Sequence, residues 1–253
     1  MAPPTPFERF ADLDYEKYRR MADDESLSAH ERSGFPDALR EGAEQAILAD
    51  IEAKLPALRE RDELTVVDIG CGANPLAGAI IQLCRDRRHR LTLVDSAEVL
   101  AHHREEPDVR LVSGRFPDTT PLLADQAGSC DAVIAYSVLQ CAFTDGSVHG
   151  FVDSALTLLA PGGRLLLGDL PNASMRRRFL YSEAGRAFHL TYTGRDDDPA
   201  VTWPMLPKGE LDDAVLLGLI ARARDAGFHA WLVPQAEGLP MANRREDVIC
   251  ERP

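Results

Sequence analysis

Short apolar segments alternate with helical patterns through the middle of the chain. Five nearly continuous apolar runs predict buried strands, at 64–69, 91–95, 109–112, 132–136 and 164–169. Helical patterns lie between them at 74–88 and 150–159. Strands that are apolar on both faces are typical of a parallel sheet covered by helices on both sides. The pattern therefore predicts a doubly wound α/β fold.

The two flanking regions carry different patterns. Residues 1–61 are polar and helical, with an apolar stripe at helical spacing from Ala38 to Leu55, and Pro36 fits the first turn of that helix. Residues 171–210 show no clean period, so we expect an irregular, lid-like insertion there. A helix over 212–226 and strands near 229–233 and 247–251 complete the pattern. We expect a helical N-terminal cap over 1–61 and one domain over 62–253.

Composition narrows the classes of function. The 253 residues carry a formal net charge of −13 at pH 7. Because nucleic-acid binders concentrate Lys and Arg to neutralise phosphates, we expect no nucleic-acid partner and no anionic membrane. The chain has no apolar run near the roughly 20 residues of a membrane span, and residues 1–6 do not resemble a secretory signal. We expect a cytoplasmic protein. The five cysteines lack metal-ligand spacing, so no metal site is expected.

The strongest local motif is the segment 66–75, which reads VVDIGCGANP. It predicts a strand, a tight glycine turn and a helix start, whose free N–H groups suit a carboxylate or phosphate. A dinucleotide fingerprint needs a third glycine at position 75, where this chain has proline, so the motif argues against NAD. Asp68 suits a ligand with an ammonium group, such as the methionine part of S-adenosylmethionine. Asp95 ends the second strand, where a carboxylate suits ribose hydroxyls.

Four pieces of the chain resemble, in this order, the class I S-adenosylmethionine-dependent methyltransferases: VVDIGCGANP, LTLVD, SCDAVIAYSVLQCA and LAPGGRLLLGD. The resemblance implies a Rossmann-like seven-stranded sheet, mostly parallel with an antiparallel last strand, and S-adenosylmethionine as the cofactor. The first piece would hold the methionine portion, the acid after the second strand the ribose, and the turn after the third strand the adenine. The implied cofactor-binding residues are Asp68, Gly70, Cys71, Gly72, Asn74, Asp95, Ser96, Gly114, Arg115, Phe116, Tyr136 and Ser137.

Three further segments resemble a bacterial methyltransferase subgroup associated with surface-polysaccharide gene clusters: GFPDALREG, GDLPNASMRRRF and LPMANRRED. This resemblance implies a sugar-like acceptor. We expect the acceptor at the carboxyl ends of the strands. The candidate substrate-binding residues are Tyr18, Gln140, Asn172, Arg176, Asn243, Arg244 and Arg245.

Methyl transfer to a hydroxyl group is helped by a base that takes the proton. The candidate bases are His189, inside the expected lid, and Asp169, at the end of the fifth strand. We expect an enzyme that methylates a small polar molecule, either sugar-like or a natural-product intermediate, with oxygen slightly preferred over nitrogen as the acceptor atom.

Three other functions remain open at this point. The same cofactor serves cyclisation or the transfer of another group, and product mass would separate these from methylation. An NAD-dependent oxidoreductase is opposed by Pro75. A non-catalytic scaffold with this fold is opposed by the intact glycine turn and Asp95. The N-terminal helices are a candidate lid and a candidate homodimer contact.

Overall fold

A computed structural model describes residues 13–201 and 210–253 of this protein. Within these residues the sheet has seven strands, which are β1 (Thr65–Ile69), β2 (Arg90–Asp95), β3 (Val109–Ser113), β4 (Cys130–Tyr136), β5 (Leu159–Pro171), β6 (His229–Pro234) and β7 (Arg245–Glu251). The strands lie side by side in the order β3-β2-β1-β4-β5-β7-β6. The first five strands are parallel, whereas β7 runs antiparallel to both β5 and β6. The predicted mostly parallel sheet with an antiparallel last strand is confirmed.

Helices surround this sheet. Those that precede it are α1 (Tyr15–Ala22), α2 (Ala29–Arg32), α3 (Glu44–Lys54) and α4 (Ala57–Glu60). Those that alternate with strands are α5 (Pro75–Asp86), α6 (Ala97–Leu100), α7 (Leu139–Asp145) and α8 (Val148–Leu158). Those after β5 are α9 (Ala173–Leu180), α10 (Glu183–Thr193) and α11 (Asp213–Asp225). Among the described helices, none combines the length and the apolar character needed to cross a membrane.

The two faces of the sheet bury separate apolar clusters. On one face, Val67 of β1 belongs to a buried cluster with Phe151 of α8 and Leu219 of α11. On the other face, the next residue along β1, Val66, lies in a cluster with Ile51 of α3 and other apolar side chains. Side chains alternate along a strand, so a strand covered on both faces is apolar at most of its positions. This is the physical reason that the strands could be located in the sequence.

The segment after β5 differs from the prediction. Two helices, α9 and α10, occupy much of the range for which the sequence pattern predicts an irregular insertion. The side chain of Asn172 caps α9 and that of Ser182 caps α10. Each helix buries only one small residue, Ala173 and Gly185 respectively. Because neither helix packs a broad apolar stripe into the core, the sequence carries no clear helical period. Residues 202–209, the rest of the expected insertion, lie outside the described residues.

The long helix predicted after Pro36 is interrupted. A short 3₁₀ helix spans Asp37–Leu39, and α3 begins only at Glu44. Gly42 lies between them with a φ of 77°, a conformation that glycine adopts readily. The predicted helical start before residue 13 lies outside the described residues.

The helices α1, α2 and α3 together with the segments that connect them, which we call the N-terminal cap, contribute one wall of a cleft at the carboxyl ends of the strands. Arg19 of α1 donates a hydrogen bond of 2.6 Å to Glu98 of α6. A ring nitrogen of His102 lies 2.9 Å from the carbonyl oxygen of Ala22, at the end of α1. These contacts fix α1 to the sheet domain beside β2.

Candidate functional site

The cleft lies at the carboxyl ends of β1, β2 and β4. Strand order reverses between β1 and β4, and open α/β sheets bind ligands outside the strand ends at such a point. The sheet side of the wall consists of Asp68, Gly70–Asn74, Asp95, Gly114–Phe116 and Tyr136–Val138, together with apolar neighbours. The cap side consists mainly of Tyr15, Tyr18, His30, Arg32, Ser33, Phe35, Arg40 and Glu44. A sheet edge rich in backbone groups thus faces aromatic and ionisable side chains.

Two glycines build the turn that follows β1. Gly70 and Gly72 have φ angles of 71° and 67°, in the region that favours glycine. A Cβ atom on Gly70 would lie 2.5 Å from a methyl carbon of Val138, so the turn has no space for one. A ring nitrogen of His103 lies 2.7 Å from the carbonyl oxygen of Gly72. Asn74 caps the helix that follows by accepting hydrogen bonds from two backbone N–H groups. The turn therefore presents a fixed backbone to the cleft.

Asp95 reaches from the end of β2 to this turn. Its Oδ2 accepts a hydrogen bond of 3.0 Å from the backbone N–H of Gly72, and its Oδ1 accepts one of 2.7 Å from Ser96. Burial raises the pKa of Asp95, although the two N–H groups act in the opposite direction. The side chain of Ser96 itself caps α6 and does not line the cleft. Asp95 is held in one orientation with its carboxylate in the wall, which suits a pair of ribose hydroxyls.

Asp68 is a second carboxylate in the same wall. It is 2 % exposed, and burial together with the neighbouring Asp95 raises its pKa to about 7. A nearby cation favours the charged form of such a carboxyl group. The pair of acids therefore fits a ligand that carries both hydroxyl groups and a positive charge, as S-adenosylmethionine does.

The turn after β3 forms the far end of the cleft. The backbone N–H of Gly114 donates a hydrogen bond of 2.8 Å to the carbonyl oxygen of Asp95, which ties this turn to β2. The guanidinium carbon of Arg115 lies 5.7 Å from the ring centre of Tyr15 in the cap. Phe116 lines the cleft and packs edge-on against Phe151. A planar group such as adenine would meet flat and apolar partners here.

Asp169 occupies a different environment from the one expected of a base. It is fully buried at the end of β5 and does not line the cleft. Its Oδ2 accepts hydrogen bonds from Arg40, Ser137 and, at 2.8 Å, Arg245, while its Oδ1 accepts one of 3.2 Å from Gln235. The structure makes Asp169 the centre of a buried ion cluster.

The charge state of Asp169 follows from these partners. Burial alone would raise the pKa of Asp169, but the guanidinium groups of Arg245 and Arg40 and the hydrogen bonds from Ser137 and Gln235 lower it below its usual range. A carboxylate that is stabilised in this way is a poor proton acceptor. The geometry therefore argues against Asp169 as the base and assigns it an anchoring position. Both Asp169 and Ser137 have positive φ angles, of 58° and 61°, which the cluster holds in place.

His189, the other candidate base, lies on α10 and does not line the cleft. One ring nitrogen is 3.0 Å from a carboxylate oxygen of Asp197, eight residues further along the chain. Its neighbour Phe188 lies under the guanidinium of Arg244, at 5.2 Å. The interpretation of His189 as a base in the cleft has no geometric support in this arrangement.

The candidate substrate-binding residues are dispersed. Of these, only Tyr18 lines the cleft. Gln140 donates to the carbonyl oxygen of Ser137, Asn172 caps α9, and Arg245 belongs to the cluster around Asp169. Arg176, Asn243 and Arg244 also lie outside the wall of the cleft.

The guanidinium group of Arg244 is in an unfavourable environment, because burial and the nearby positive charge of Arg245 lower its pKa.

Cap residues that were not among the candidate site residues take the remaining places in the wall. These are His30, Arg32, Ser33, Phe35, Arg40 and Glu44. One local signal was available: Ser28 and Glu31 form a capping box, which marks the short helix that carries His30. Their positions in the cleft depend on long-range packing of the cap.

Residues 67–167 match the family described as "Methyltransferase domain". No curated protein matches the chain as a relative. The fold resembles N-methyltransferase NodS from Bradyrhizobium japonicum WM9 with bound S-adenosyl-L-homocysteine, with a TM-score of 0.57 and 13% identity over 94% of this chain and 98% of that one. It also resembles the putative methyltransferase in a complex with the Haloferax volcanii Trm112 methyltransferase activator, with a TM-score of 0.56 and 15% identity over 94% and 98% of the two chains.

A third similar structure is a SAM-dependent methyltransferase from Aquifex aeolicus, with a TM-score of 0.52 and 13% identity over 95% of this chain and 99% of that one. At such identities the likeness establishes the fold alone. The family match indicates a methyltransferase domain over residues 67–167.

Proposed function

We propose that this chain is a class I S-adenosylmethionine-dependent methyltransferase. It methylates a small polar molecule in the cleft beneath the N-terminal cap, and it prefers oxygen over nitrogen as the acceptor atom. One observation carries the proposal. Asp95 and the glycine turn form one wall of the cleft, and aromatic and ionisable side chains of the cap form the opposite wall. A cofactor on the first wall would therefore face an acceptor on the second.

The residues of the sheet wall have the chemistry that the cofactor requires. Asp95 would accept hydrogen bonds from the ribose hydroxyls, and Asp68 would stabilise the positive charge of the methionine part. The backbone of Gly70–Gly72 would lie against the ligand without a side chain between them. The turn with Arg115 and Phe116 would hold the adenine. Support comes from the fixed orientation of Asp95, from the burial of Asp68 and from the tight fit of Gly70.

When bound, S-adenosylmethionine supplies an electrophilic methyl group on a sulfonium. The leaving group is already activated, so alignment and exclusion of water are the main tasks of the protein. The side chains of Tyr18, Phe35 and Tyr136 give the cleft an aromatic lining. We assign the cap the role of a lid, because Tyr15 and Tyr18 of α1 line the cap side of the cleft, opposite the wall that we assign to the cofactor.

The lid limits the size of the acceptor. A macromolecule would have to displace α1, and with it the bond between Arg19 and Glu98 and the contact between His102 and Ala22. A small molecule needs no such displacement. We therefore propose a small acceptor and no nucleic-acid partner, in agreement with the acidic composition.

A sugar-like acceptor is the finer part of the proposal. The three segments that resemble the polysaccharide-associated subgroup lie far apart in the sequence, at 34–42, 168–179 and 239–247. Each contributes one member of the buried cluster, namely Arg40, Asp169 and Arg245. This convergence supports a common role of the segments in shaping one end of the cleft, where Arg40 is part of the wall.

Product mass tests this proposal. The purified protein would be incubated with S-adenosylmethionine and a panel of sugars, phenols and small amines, and every compound would be analysed by mass spectrometry. The proposal predicts that one acceptor gains a methyl group in place of a hydrogen while S-adenosylhomocysteine accumulates in equal amount. A cyclised product or another transferred group would instead support one of the other reactions of this cofactor. A panel that yields no product from protein that binds the cofactor would contradict the proposed substrate class.

A further inference from the structure

The proposed transfer to oxygen needs a group that takes the hydroxyl proton, and neither His189 nor Asp169 is in the cleft. The tyrosines of the wall stay protonated at neutral pH. Burial raises the pKa of Tyr15 to about 12, and it raises the pKa of both Tyr18 and Tyr136 further above the usual value. Burial also raises the pKa of the Cys71 thiol. These groups are therefore poor bases.

The two aspartates of the wall belong to the cofactor side. Asp95 is bound to the backbone of the glycine turn, and Asp68 lies on the strand that leads into that turn. Among the described residues that line the cleft, His30 carries the only imidazole, and Glu44 carries the only carboxyl group on the cap side.

His30 and Glu44 form a pair across the cap. The Nε2 of His30 lies 3.1 Å from a carboxylate oxygen of Glu44, and the two side chains are only 13 % and 18 % exposed. His30 is carried by α2, and Glu44 is the first residue of α3, where the helix dipole favours a negative charge. A carboxylate at one ring nitrogen fixes the imidazole plane and leaves the other nitrogen as the proton acceptor.

The pair is also tied to the cofactor side of the cleft. Ser33 lies one helical turn after His30, and its hydroxyl accepts a hydrogen bond of 3.0 Å from the side-chain amide of Asn74. Asn74 caps the helix that follows the glycine turn. The face of α2 that carries His30 is thus held next to the turn that we assign to the cofactor.

We propose that His30 is the base that removes the acceptor proton and that Glu44 positions its imidazole, so the acceptor is a hydroxyl compound. The inference rests on the proposed function. The hydroxyl oxygen forms the new bond to the methyl carbon while the carbon–sulfur bond breaks, and that electron pair remains on sulfur. The hydroxyl proton moves to the Nδ1 of His30. The positive charge that leaves the sulfonium therefore reappears on the imidazolium, and S-adenosylhomocysteine leaves as a neutral thioether.

The test compares His30→Ala with His229→Ala, an exposed histidine at the start of β6. Two properties would be measured: the affinity for S-adenosylhomocysteine by calorimetry, and kcat with the acceptor identified by product mass. We expect His30→Ala to bind S-adenosylhomocysteine within about 2-fold of the unmodified protein and to lose about 10²-fold or more in kcat, the usual contribution of a general base. Added imidazole should restore part of the lost rate, which it would not do if the histidine only supported the fold. His229→Ala should retain both properties.

Glu44 is tested as a positioning residue by two variants. Glu44→Gln should reduce kcat by about 10-fold with little change in KM, and Glu44→Asp should restore part of that loss because it keeps the carboxylate. Equal losses in both variants would contradict the positioning role.

The outcomes separate this inference from the proposed function. An unmodified protein that does not bind S-adenosylhomocysteine would overturn the proposed function itself. If that protein binds and methylates, but His30→Ala keeps kcat within about 3-fold, His30 is not the base. A His30→Ala protein that is folded and has lost about 10-fold in S-adenosylhomocysteine affinity would place His30 at the cofactor. Methylation of an amine as the preferred acceptor would refute the hydroxyl assignment.

Discussion

Arg40 and Asp169 are separated by 129 residues in the chain and form a buried ion pair that joins the N-terminal cap to the end of β5. Arg40 is 8 % exposed and Asp169 is fully buried. The guanidinium carbon of Arg40 also lies 4.1 Å from the ring centre of Phe35. One arginine therefore connects the wall of the cleft, an aromatic side chain of the cap and the central acid of the buried cluster.

Loss of this arginine should destabilise the protein. In Arg40→Ala, Asp169 retains Arg245 but loses a buried partner, and removal of one member of a buried pair costs about 3 kcal/mol or more. The matched control is Arg20→Ala, on the exposed face of α1. Urea denaturation followed by circular dichroism would measure both. A loss of less than about 1 kcal/mol for Arg40→Ala would show that Arg245 alone compensates the charge of Asp169.

The raised pKa of Asp68 predicts a dependence of stability on pH. The carboxyl group has a pKa of about 7 in the folded protein and an ordinary value of 3.8, so the folded state binds its proton more tightly than the unfolded state. Its contribution to stability is complete below about pH 4 and is lost as the pH rises to about 7. The substitution Asp68→Asn removes this pH-dependent contribution to the free energy of unfolding. The variant should therefore gain stability relative to the unmodified protein, by up to about 1.4 kcal/mol per pH unit between pH 5 and pH 7.

Thermal or urea unfolding of the two proteins at several pH values would measure this difference. Well above pH 7 the difference should stay constant, since Asp68 is then ionised in both the folded and the unfolded state. A difference that does not change between pH 5 and pH 7 would contradict the raised pKa. The same variant should bind S-adenosylhomocysteine at least about 10-fold more weakly, because the ligand's ammonium group loses a negative partner.

The glycine turn yields a third prediction. Gly70→Ala introduces a Cβ atom 2.5 Å from a methyl carbon of Val138 and forces a side chain into a left-handed conformation, at φ 71°. The conformation alone costs about 1–2 kcal/mol. The turn should shift, and cofactor affinity should fall by about 10-fold or more. Gly78→Ala, on α5, has open space around its Cβ position and is the control. It should leave affinity unchanged and add about 0.5–1 kcal/mol of helix stability. Calorimetry and thermal unfolding would check both.

Two adjacent histidines provide a matched pair for the fourth prediction. The ring of His103 contacts the carbonyl oxygen of Gly72, whereas the ring of His102 contacts that of Ala22. His103→Ala frees the glycine turn and should weaken S-adenosylhomocysteine binding by about 3- to 10-fold, since one hydrogen bond is worth about 1 kcal/mol. His102→Ala should affect the docking of α1 and leave that affinity within about 2-fold. The reverse order of effects in a calorimetric titration would contradict this description of the turn.

The sequence predicts the parts of this molecule that depend on local pattern. Strands such as β1 and β4 are buried on both faces, so most of their residues are apolar and the strands stand out from their neighbours. The glycine turn and Asp95 could be predicted because each lies at the end of a strand that leads into a helix. Pro75 occupies the first turn of α5, where a proline is tolerated.

The parts that the sequence does not predict depend on long-range contacts or on weak patterns. The exposed helices α9 and α10 bury too little to produce an apolar period. In the sequence, Asp169 looks like any other acid at the end of a strand. Only the folded chain brings Arg40 and Arg245 next to it. His30 lies in the cleft because α2 packs there as part of the cap, and the local capping-box signal of α2 does not reveal that position.

The central claim is that Asp95 and the glycine turn bind S-adenosylmethionine, and a calorimetric titration tests it most directly. Unmodified protein, Asp95→Ala and a control, Asp86→Ala on the exposed end of α5, would each be titrated with S-adenosylmethionine, S-adenosylhomocysteine and NADH. We predict dissociation constants in the micromolar range for the two adenosyl compounds, on the order of −8 kcal/mol, and no binding of NADH. Asp95→Ala should lose most of the affinity and Asp86→Ala none. Folded protein that binds neither adenosyl compound, or an Asp95→Ala variant that binds them as tightly as the unmodified protein, would contradict the account.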